Sequence, residues 1–282
     1  MKILVTGYKG QLGYDIVKEA MRRGIDAIGV DVAEMDITNK QQVQDVLVMG
    51  NFAAVVHCAA YTAVDHAEEN VALCHKVNVE GTANITSVCE TLDIPLMYFS
   101  TDYVFDGEGD KPWNAYDKRD PLNVYGQSKY EGELAVESLA KHFIIRISWV
   151  FGVNGNNFVK TMLRLANEHD SLRVVDDQIG SPTYTFDLAK LAMDMLVSEQ
   201  YGTYHASNEG FCSWYTFACE IFKQANVKVQ VTPVDSSVYP VKAKRPKNSR
   251  MSKKELDKHG FKRLPQWQDA LTHYLDALKN DK

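Results

Sequence analysis

No C-x-x-C pair occurs in the chain, and the five cysteines, Cys58, Cys74, Cys89, Cys212 and Cys219, are scattered and odd in number. That pattern is not a disulfide framework, so free thiols in a reducing compartment are expected. His and Cys show no spacing that suggests a transition-metal site, and no metal is expected there. No apolar run approaches the length that spans a bilayer, and the first strand begins at Lys2, where no signal peptide precedes it. A cytoplasmic protein without a membrane partner is the expectation. Basic residues form no stripe, since 31 Lys and Arg face 37 Asp and Glu for a formal net charge of −6. This argues against nucleic acid as a main partner; the basic run Lys242 to Arg250 is short and interrupted by Pro246. Internal repeats and low-complexity segments are lacking as well.

What is present is ordinary for a chain with a full core. Hydrophobic residues make up 45% of 282 positions, enough for one large α/β domain or a domain with a smaller lobe. The chain is organised around Tyr98 to Tyr130. An apolar run, Ile94 to Phe99, reads as a buried strand, and Ser100 and Thr101 place two hydroxyls at its C-terminal end, the edge that faces the ligand crevice in open α/β sheets. Tyr125 and Lys129 follow, four residues apart, on one face of a predicted helix. A phenol is a poor acid near neutrality, and a neighbouring ammonium lowers its pKa. Thr101, Tyr125 and Lys129 therefore form a candidate proton-donating trio at a carbonyl oxygen. The spacing alone is weak: with 14 Tyr in the chain, Y-x-x-x-K recurs at Tyr14 and Lys18.

Taken in order, Lys2 to Thr6 is a short apolar strand, followed by Gly7, Gly10 and Gly13 as G-x-x-G-x-x-G and an amphipathic helix to about Arg23. Strand, glycine turn and helix are the context in which such glycines let a pyrophosphate approach a helix N-terminus. Asp31 ends a second strand, Ile25 to Val30, and either accepts from an adenosine ribose or is a solvated loop acid. Asp36 and Ile37 lie where adenine could sit. Asn39 to Met49 reads as a helix. Ala53 to His57 is a third strand, with His57 a strand-end residue or a ligand. The small residues of Cys58-Ala59-Ala60-Tyr61-Thr62 let a dinucleotide lie close. A helix is predicted over Glu69 to Leu92, a fifth strand over His142 to Ser148, a helix over Phe158 to Glu168 and a sixth strand over Leu172 to Val175. Trp149 falls just past a strand end, as core or as ligand contact. Alternation of strand and helix predicts an α/β fold: a Rossmann-type doubly wound parallel sheet with a smaller, mixed C-terminal substrate-binding lobe. Residues 1–148 form the dinucleotide domain, with 172–205 returning to it, and 149–171 and 206–282 form the lobe. In the loop Ser236 to Arg250, Arg245 and Arg250 either grip an anion or are surface charge.

Gly7-x-x-Gly10-x-x-Gly13, S-T-D-Y-V-F-D-G at Ser100 to Gly107 and V-Y-G-Q-S-K at Val124 to Lys129 resemble the extended short-chain dehydrogenases. S-W-V-F at Ser148 to Phe151, N-N-F at Asn156 to Phe158, G-S-P-T at Gly180 to Thr183 and R-P-K-N-S-R at Arg245 to Arg250 narrow the resemblance to the dTDP-4-dehydrorhamnose reductase family. The resemblance implies NADPH- or NADH-dependent reduction of the C4 keto group of dTDP-4-dehydro-L-rhamnose to dTDP-L-rhamnose. Tyr125 would protonate the C4 oxygen, Lys129 would hold the nicotinamide ribose and Thr101 would orient the carbonyl. Gly7, Gly10, Gln11, Leu12, Gly13, Asp31, Asp36, Ile37, Ala59, Ala60, Tyr61, Thr62 and Ser100 would join Tyr125 and Lys129 in lining the cofactor. Asp102, Tyr103 and Trp149 would contact the sugar nucleotide beside Thr101, with Arg245, Asn248 and Arg250 near its phosphate end. Some members bind Mg²⁺ through three glutamates at a dimer interface. Asp15, Phe186 and Ala277 occupy those places here, so a metal-bridged dimer is not expected, and a monomer or weak homodimer is. The alternatives are a sugar-nucleotide epimerase or dehydratase of the same superfamily, and a non-enzymatic dinucleotide-binding regulatory subunit. Tyr103 stands where a dehydratase would carry an acid, and an intact Thr101, Tyr125 and Lys129 speak against a regulatory subunit.

Overall fold

The computed structural model describes residues 1–280. Its frame is a parallel sheet of β1 (Lys2–Thr6), β2 (Asp26–Val30), β3 (Ala54–His57), β4 (Leu96–Thr101), β5 (His142–Ile147) and a sixth strand, Gly202–His205. The order across the sheet is β2, β1, β3, β4, β5 and then Gly202–His205. Every neighbouring pair is parallel. A parallel sheet is covered on both faces, so its strands must be apolar on both sides. Ile3, Leu4 and Val5 are accordingly all sealed from solvent, as is the whole of β4. The chain runs outward from β1 to β2 and then back past it to β3, and the crevice opens where that direction reverses.

One face of the sheet packs helix α1 (Gln11–Arg22) and the helix Thr185–Leu196, through Ile16, Ala20, Leu188 and Ala192 against Ile3, Val5 and Val56. The other face packs α2 (Lys40–Gly50), Thr82–Leu92 and Val124–Glu137, through Val43, Leu47, Ile85 and Val136 against Leu4, Val55 and Ile144. The Asn39 side chain starts α2 by accepting from the backbone N–H groups of Gln41 and Gln42, which have no partner inside the helix.

The helical stretch expected over 69–92 runs unbroken from Val71 to Leu92, but it passes through a π-helical turn, Lys76–Gly81, between Val71–His75 and Thr82–Leu92. The wider turn carries Asn78, whose Oδ1 accepts from Tyr61 N at 2.7 Å and whose Nδ2 donates to Tyr61 O at 3.1 Å and Ser128 Oγ at 2.9 Å. One side chain thus clamps the loop after β3 to the Tyr125–Lys129 helix. π-turns cluster at functional sites, and helical periodicity does not reveal them.

A third apolar cluster, including Phe151, Phe217, Trp267, Leu271 and Tyr274, lies among the helices Phe158–Glu168, Trp214–Ala225 and Trp267–Asn280. The strand expected to carry the chain back to the central sheet at 172 does not do so. Ser171–Val175 pairs in parallel with Gln230–Val234 in a separate two-stranded sheet. Its pattern explains why: Ser171 and Arg173 are exposed and only Val174 is buried, which a strand inside a doubly covered sheet could not tolerate. The return comes with Thr185–Leu196. A second correction concerns 206–282, because Leu256 and Leu264 pack in the same cluster as β1 and α1, not in the lobe.

Candidate active site

A cleft of about 640 Å³ runs along the C-terminal ends of β1, β3 and β4. At one end, Gly7 has φ +65°, and a Cβ there would sit 2.7 Å from Ala59 N. A Cβ on Gly13 would overlap the Gly7 carbonyl oxygen. Both positions therefore need glycine, one for its conformation and one for close helix–strand packing. The α1 N-terminus has Gly10 as its N-cap, with no side chain closing it, so the first N–H groups of α1 face the cleft. A second wall is made by Asp31, Val32, Met35, Asp36 and Ile37, and a third by Ala59, Ala60 and Thr62. This cradle fits a dinucleotide: an anion-binding helix end, an apolar shelf of buried Met35 and Ile37, and carboxylates at the rim.

The expected cofactor residues fare unequally. Gly7, Gly10, Leu12 and Gly13 line the cleft, as do Asp31, Asp36, Ile37, Ala59, Ala60, Thr62 and Ser100. Gln11 lines it too, but its Oε1 accepts from Gly152 N at 3.0 Å and Asn157 Nδ2 at 3.1 Å, so it also ties the glycine loop to the lobe. Tyr61 is not in the lining; the structure spends its backbone N–H and C=O on Asn78. Asp31 Oδ1 accepts from Val32 N at 2.8 Å. Asp36 Oδ1 accepts from both the N–H and the hydroxyl of Thr38. Lys9 pairs with Glu34 at 3.4 Å, beside Asp31.

At the other end stand Thr101, Tyr125 and Lys129. The strand β4 ends on Thr101, and the helix Val124–Glu137 starts from an Asn123 side chain that accepts from Gly126 N at 2.7 Å. That cap fixes the helix so that Tyr125 in its first turn faces the cleft beside Thr101, whose hydroxyl is near enough to act on the phenol. Lys129, one turn on, is buried with Nζ 4.0 Å from the Tyr98 ring centroid. Burial pushes its pKa down to about 7, opposed by Glu133 on the next turn. The lysine was expected to lower the Tyr125 pKa. Burial instead raises it, with the Thr101 hydrogen bond opposing. The ammonium sits over Tyr98, and the low-polarity surroundings of the phenol dominate. Tyr125 is therefore held protonated at neutral pH, the form a proton donor needs.

His57 is a core residue. Its Nδ1 meets Thr6 Oγ1 at 2.7 Å, its Nε2 meets Thr82 Oγ1 at 3.1 Å, and burial drives its pKa down to about 3. Among the described residues no group of His, Cys, Asp or Glu is arranged to hold a metal ion. Asp15 is buried and hydrogen-bonded by the Thr185 hydroxyl, while Phe186 stacks on His273 at 4.6 Å between ring centroids.

On the substrate side, Asp102, Tyr103 and Trp149 line the cleft. Trp149 holds φ +49°, a conformation rarely adopted by a bulky residue, and stacks on Trp214 at 3.7 Å between centroids. Trp214, Phe158, Phe217 and Ser148 complete that wall. Sequence reasoning missed Trp214, since nothing local marks it: it simply follows the Ser213 N-cap of its helix. The arginine loop differs from expectation. Arg245 pairs with Asp65 at 2.6 Å and reaches Tyr103. Asn248 is buried and donates to the carbonyls of Glu108 and Lys111, and its Oδ1 accepts from Arg250 Nη1 at 3.0 Å. None of Arg245, Asn248 and Arg250 lines the cleft: Asp65 holds the first guanidinium, and the Asn248 amide is consumed in holding two loops together and holds the second guanidinium with it.

A family model described as the RmlD substrate binding domain matches residues 1–280. The chain is 40% identical to a dTDP-4-dehydrorhamnose reductase of Aggregatibacter actinomycetemcomitans, over 96% of this chain and 97% of that protein. It superposes on a dTDP-4-dehydrorhamnose reductase of Clostridium acetobutylicum with TM-score 0.97 and 41% identity, covering 99% of this chain and 100% of that one. A Bacillus anthracis dTDP-4-dehydrorhamnose reductase in complex with NADP gives TM-score 0.96 and 41% identity, with 98% and 99% covered. Matched over nearly its full length by the family model and by relatives at 40–41% identity, the chain belongs to the dTDP-4-dehydrorhamnose reductase family.

Proposed function

We propose that this chain reduces the C4 keto group of dTDP-4-dehydro-L-rhamnose to the alcohol of dTDP-L-rhamnose, using NADPH or NADH. The observation that carries this reading is the convergence of Thr101, Tyr125 and Lys129 at one end of a cleft whose other end is a glycine cradle. When bound, the dihydronicotinamide supplies a hydride. The chain's own groups do the rest. The α1 N–H groups hold the pyrophosphate, and Met35 and Ile37 floor the adenine. Lys129 hydrogen-bonds the nicotinamide ribose. Thr101 orients the carbonyl, and Tyr125 gives its proton to the developing alkoxide. Asp102, Tyr103 and Trp149, braced by Trp214, border the sugar nucleotide. Purified protein with dTDP-4-dehydrorhamnose and either cofactor should give dTDP-L-rhamnose, identified by NMR stereochemistry. Absence of NAD(P)H oxidation would sink the reading.

Cofactor choice turns on Asp31. A carboxylate facing the adenosine ribose repels a 2′-phosphate, and Lys9, which could offset it, is shared with Glu34. Both cofactors should be used, with a preference below about a hundredfold, or about 2.7 kcal/mol. Asp31→Ala should shift the ratio of kcat/KM values toward NADPH. An unmoved ratio would mean that Asp31 does not face the ribose.

A metal-bridged assembly is not expected here, since among the described residues no cluster of carboxylates is arranged for one. Asp15 is engaged with Thr185, and Phe186 and Ala277 carry no carboxylate. We expect a monomer or weak homodimer whose mass by light scattering is the same in Mg²⁺ and in EDTA; a dimer that dissociates on chelation would contradict this. Among the described residues no helix is long and apolar enough to cross a membrane.

A further inference from the structure

Asp102 is 2% exposed although it borders the cleft. Its Oδ1 accepts the Thr101 hydroxyl at 3.0 Å, and the Ser249 hydroxyl reaches the same carboxyl. Its Oδ2 is buried without a partner. A buried carboxylate oxygen left unpaired is costly, and taking up a proton relieves that cost. Burial accordingly raises the Asp102 pKa to about 6, against the hydrogen bonds from Ser249 and Thr101. Thr101 Oγ1 is a junction: it accepts from Tyr103 N at 3.2 Å, donates to Asp102 and meets the Tyr125 phenol. The Thr101 hydroxyl thus stands between a carboxyl and a phenol.

We propose that Asp102 returns a proton to Tyr125 through Thr101 after each reduction. The inference rests on Tyr125 being the donor to the keto oxygen. Once the Tyr125 O–H has broken and the product O–H has formed, Tyr125 is a phenolate. The Asp102 O–H then breaks and its proton goes to Thr101 Oγ1. The original Thr101 O–H breaks in turn, and its proton re-forms the Tyr125 O–H. Asp102 is left as a carboxylate and takes its next proton from solvent water. No electrons move in these steps, and one solvent proton is consumed per turnover, as reduction of a ketone by hydride requires. In this relay Asp102 acts on Tyr125 through Thr101. The competing donor is Lys129, the other buried acid at the cleft, and it would bypass Asp102 altogether.

Asp102→Asn keeps an oxygen that accepts from Thr101 and removes the transferable proton. In stopped flow with NADPH and saturating dTDP-4-dehydrorhamnose, so that a weakened substrate contact does not limit the rate, the variant should oxidise one equivalent of NADPH in a burst. It should then turn over at least about tenfold more slowly, since general acid supply is worth typically 10²–10⁴-fold. Near-ultraviolet tyrosinate absorbance should rise with the burst, and added formate should speed the slow phase. A variant with no burst, whether both phases fall together or neither changes, overturns the relay. If the variant does not fold, the wild type decides. In mixtures of H₂O and D₂O, decay of its tyrosinate signal should depend quadratically on deuterium fraction, because two protons move; a linear dependence overturns the proposal. Wild-type protein that oxidises no NADPH at all would sink the reductase reading, whereas wild-type turnover without a burst in Asp102→Asn sinks only the relay.

Discussion

Tyr125→Phe should lower kcat by about 10²–10⁴-fold, equivalent to about 3–5 kcal/mol of barrier. The substitution keeps the ring, including its edge-to-face contact with Tyr103 at 5.7 Å, and deletes only the hydroxyl beside Thr101. Cofactor affinity should hardly change, because Lys129 and the glycine cradle are untouched. The internal control is the second Y-x-x-x-K match. Tyr14 lies in α1 with Lys18 Nζ 4.5 Å from its ring centroid, but it is absent from the cleft wall. Tyr14→Phe should lower kcat by less than about fivefold. Steady-state kinetics with a primary deuterium isotope effect on hydride transfer provides the check. If chemistry limits the rate and Tyr125→Phe still keeps more than about a tenth of wild-type kcat, Tyr125 is not the donor.

The contrast between these two tyrosines shows what the sequence could convey. Features written into contiguous residues were legible: the apolar strands, the glycine turn after β1, the hydroxyls ending β4 and the four-residue step from Tyr125 to Lys129. Contacts between distant segments were not. Arg245 reads as either an anion grip or surface charge because Asp65, its partner, lies 180 residues away. Asn248 looked like a ligand contact because the carbonyls of Glu108 and Lys111 are invisible in a linear reading. Strand 171–175 was readable as a strand, but its place in the fold depended on Gln230–Val234, which only the fold supplies. The raised Tyr125 pKa has the same origin. A lysine one turn away is a local feature, whereas burial is a property of the whole assembly, and here burial wins.

The other large effect is on stability and concerns a charge cluster two turns beyond Tyr125. Glu133 is fully buried and receives Arg146 through Nε at 2.8 Å and Nη2 at 2.7 Å, and Arg119 at 2.9 Å. Arg146, 1% exposed on β5, also donates to the Ala115 carbonyl at 2.7 Å and to His205 Nε2 at 3.2 Å, which burial keeps neutral. Burial alone would raise the Glu133 pKa, but the Arg146 hydrogen bonds and charge bring it below its ordinary value. Its stabilisation is therefore present above the unfolded carboxylate pKa of about 4.3 and is lost as the pH falls through the folded value. Glu133→Ala at pH 7 leaves the Arg146 guanidinium buried with only neutral acceptors. Breaking a buried pair in this way costs about 3–5 kcal/mol. At roughly 2–4 °C per kcal/mol, that corresponds to a fall in Tm of roughly 10 °C. Replacing both partners, Glu133→Leu with Arg146→Met, removes the stranded charge as well, so the double variant should be more stable than Glu133→Ala alone. Thermal unfolding by circular dichroism separates the outcomes. A double variant at least as unstable as Glu133→Ala would mean that the network stabilises through its hydrogen bonds and shape, and that the stranded charge is a minor part of the loss.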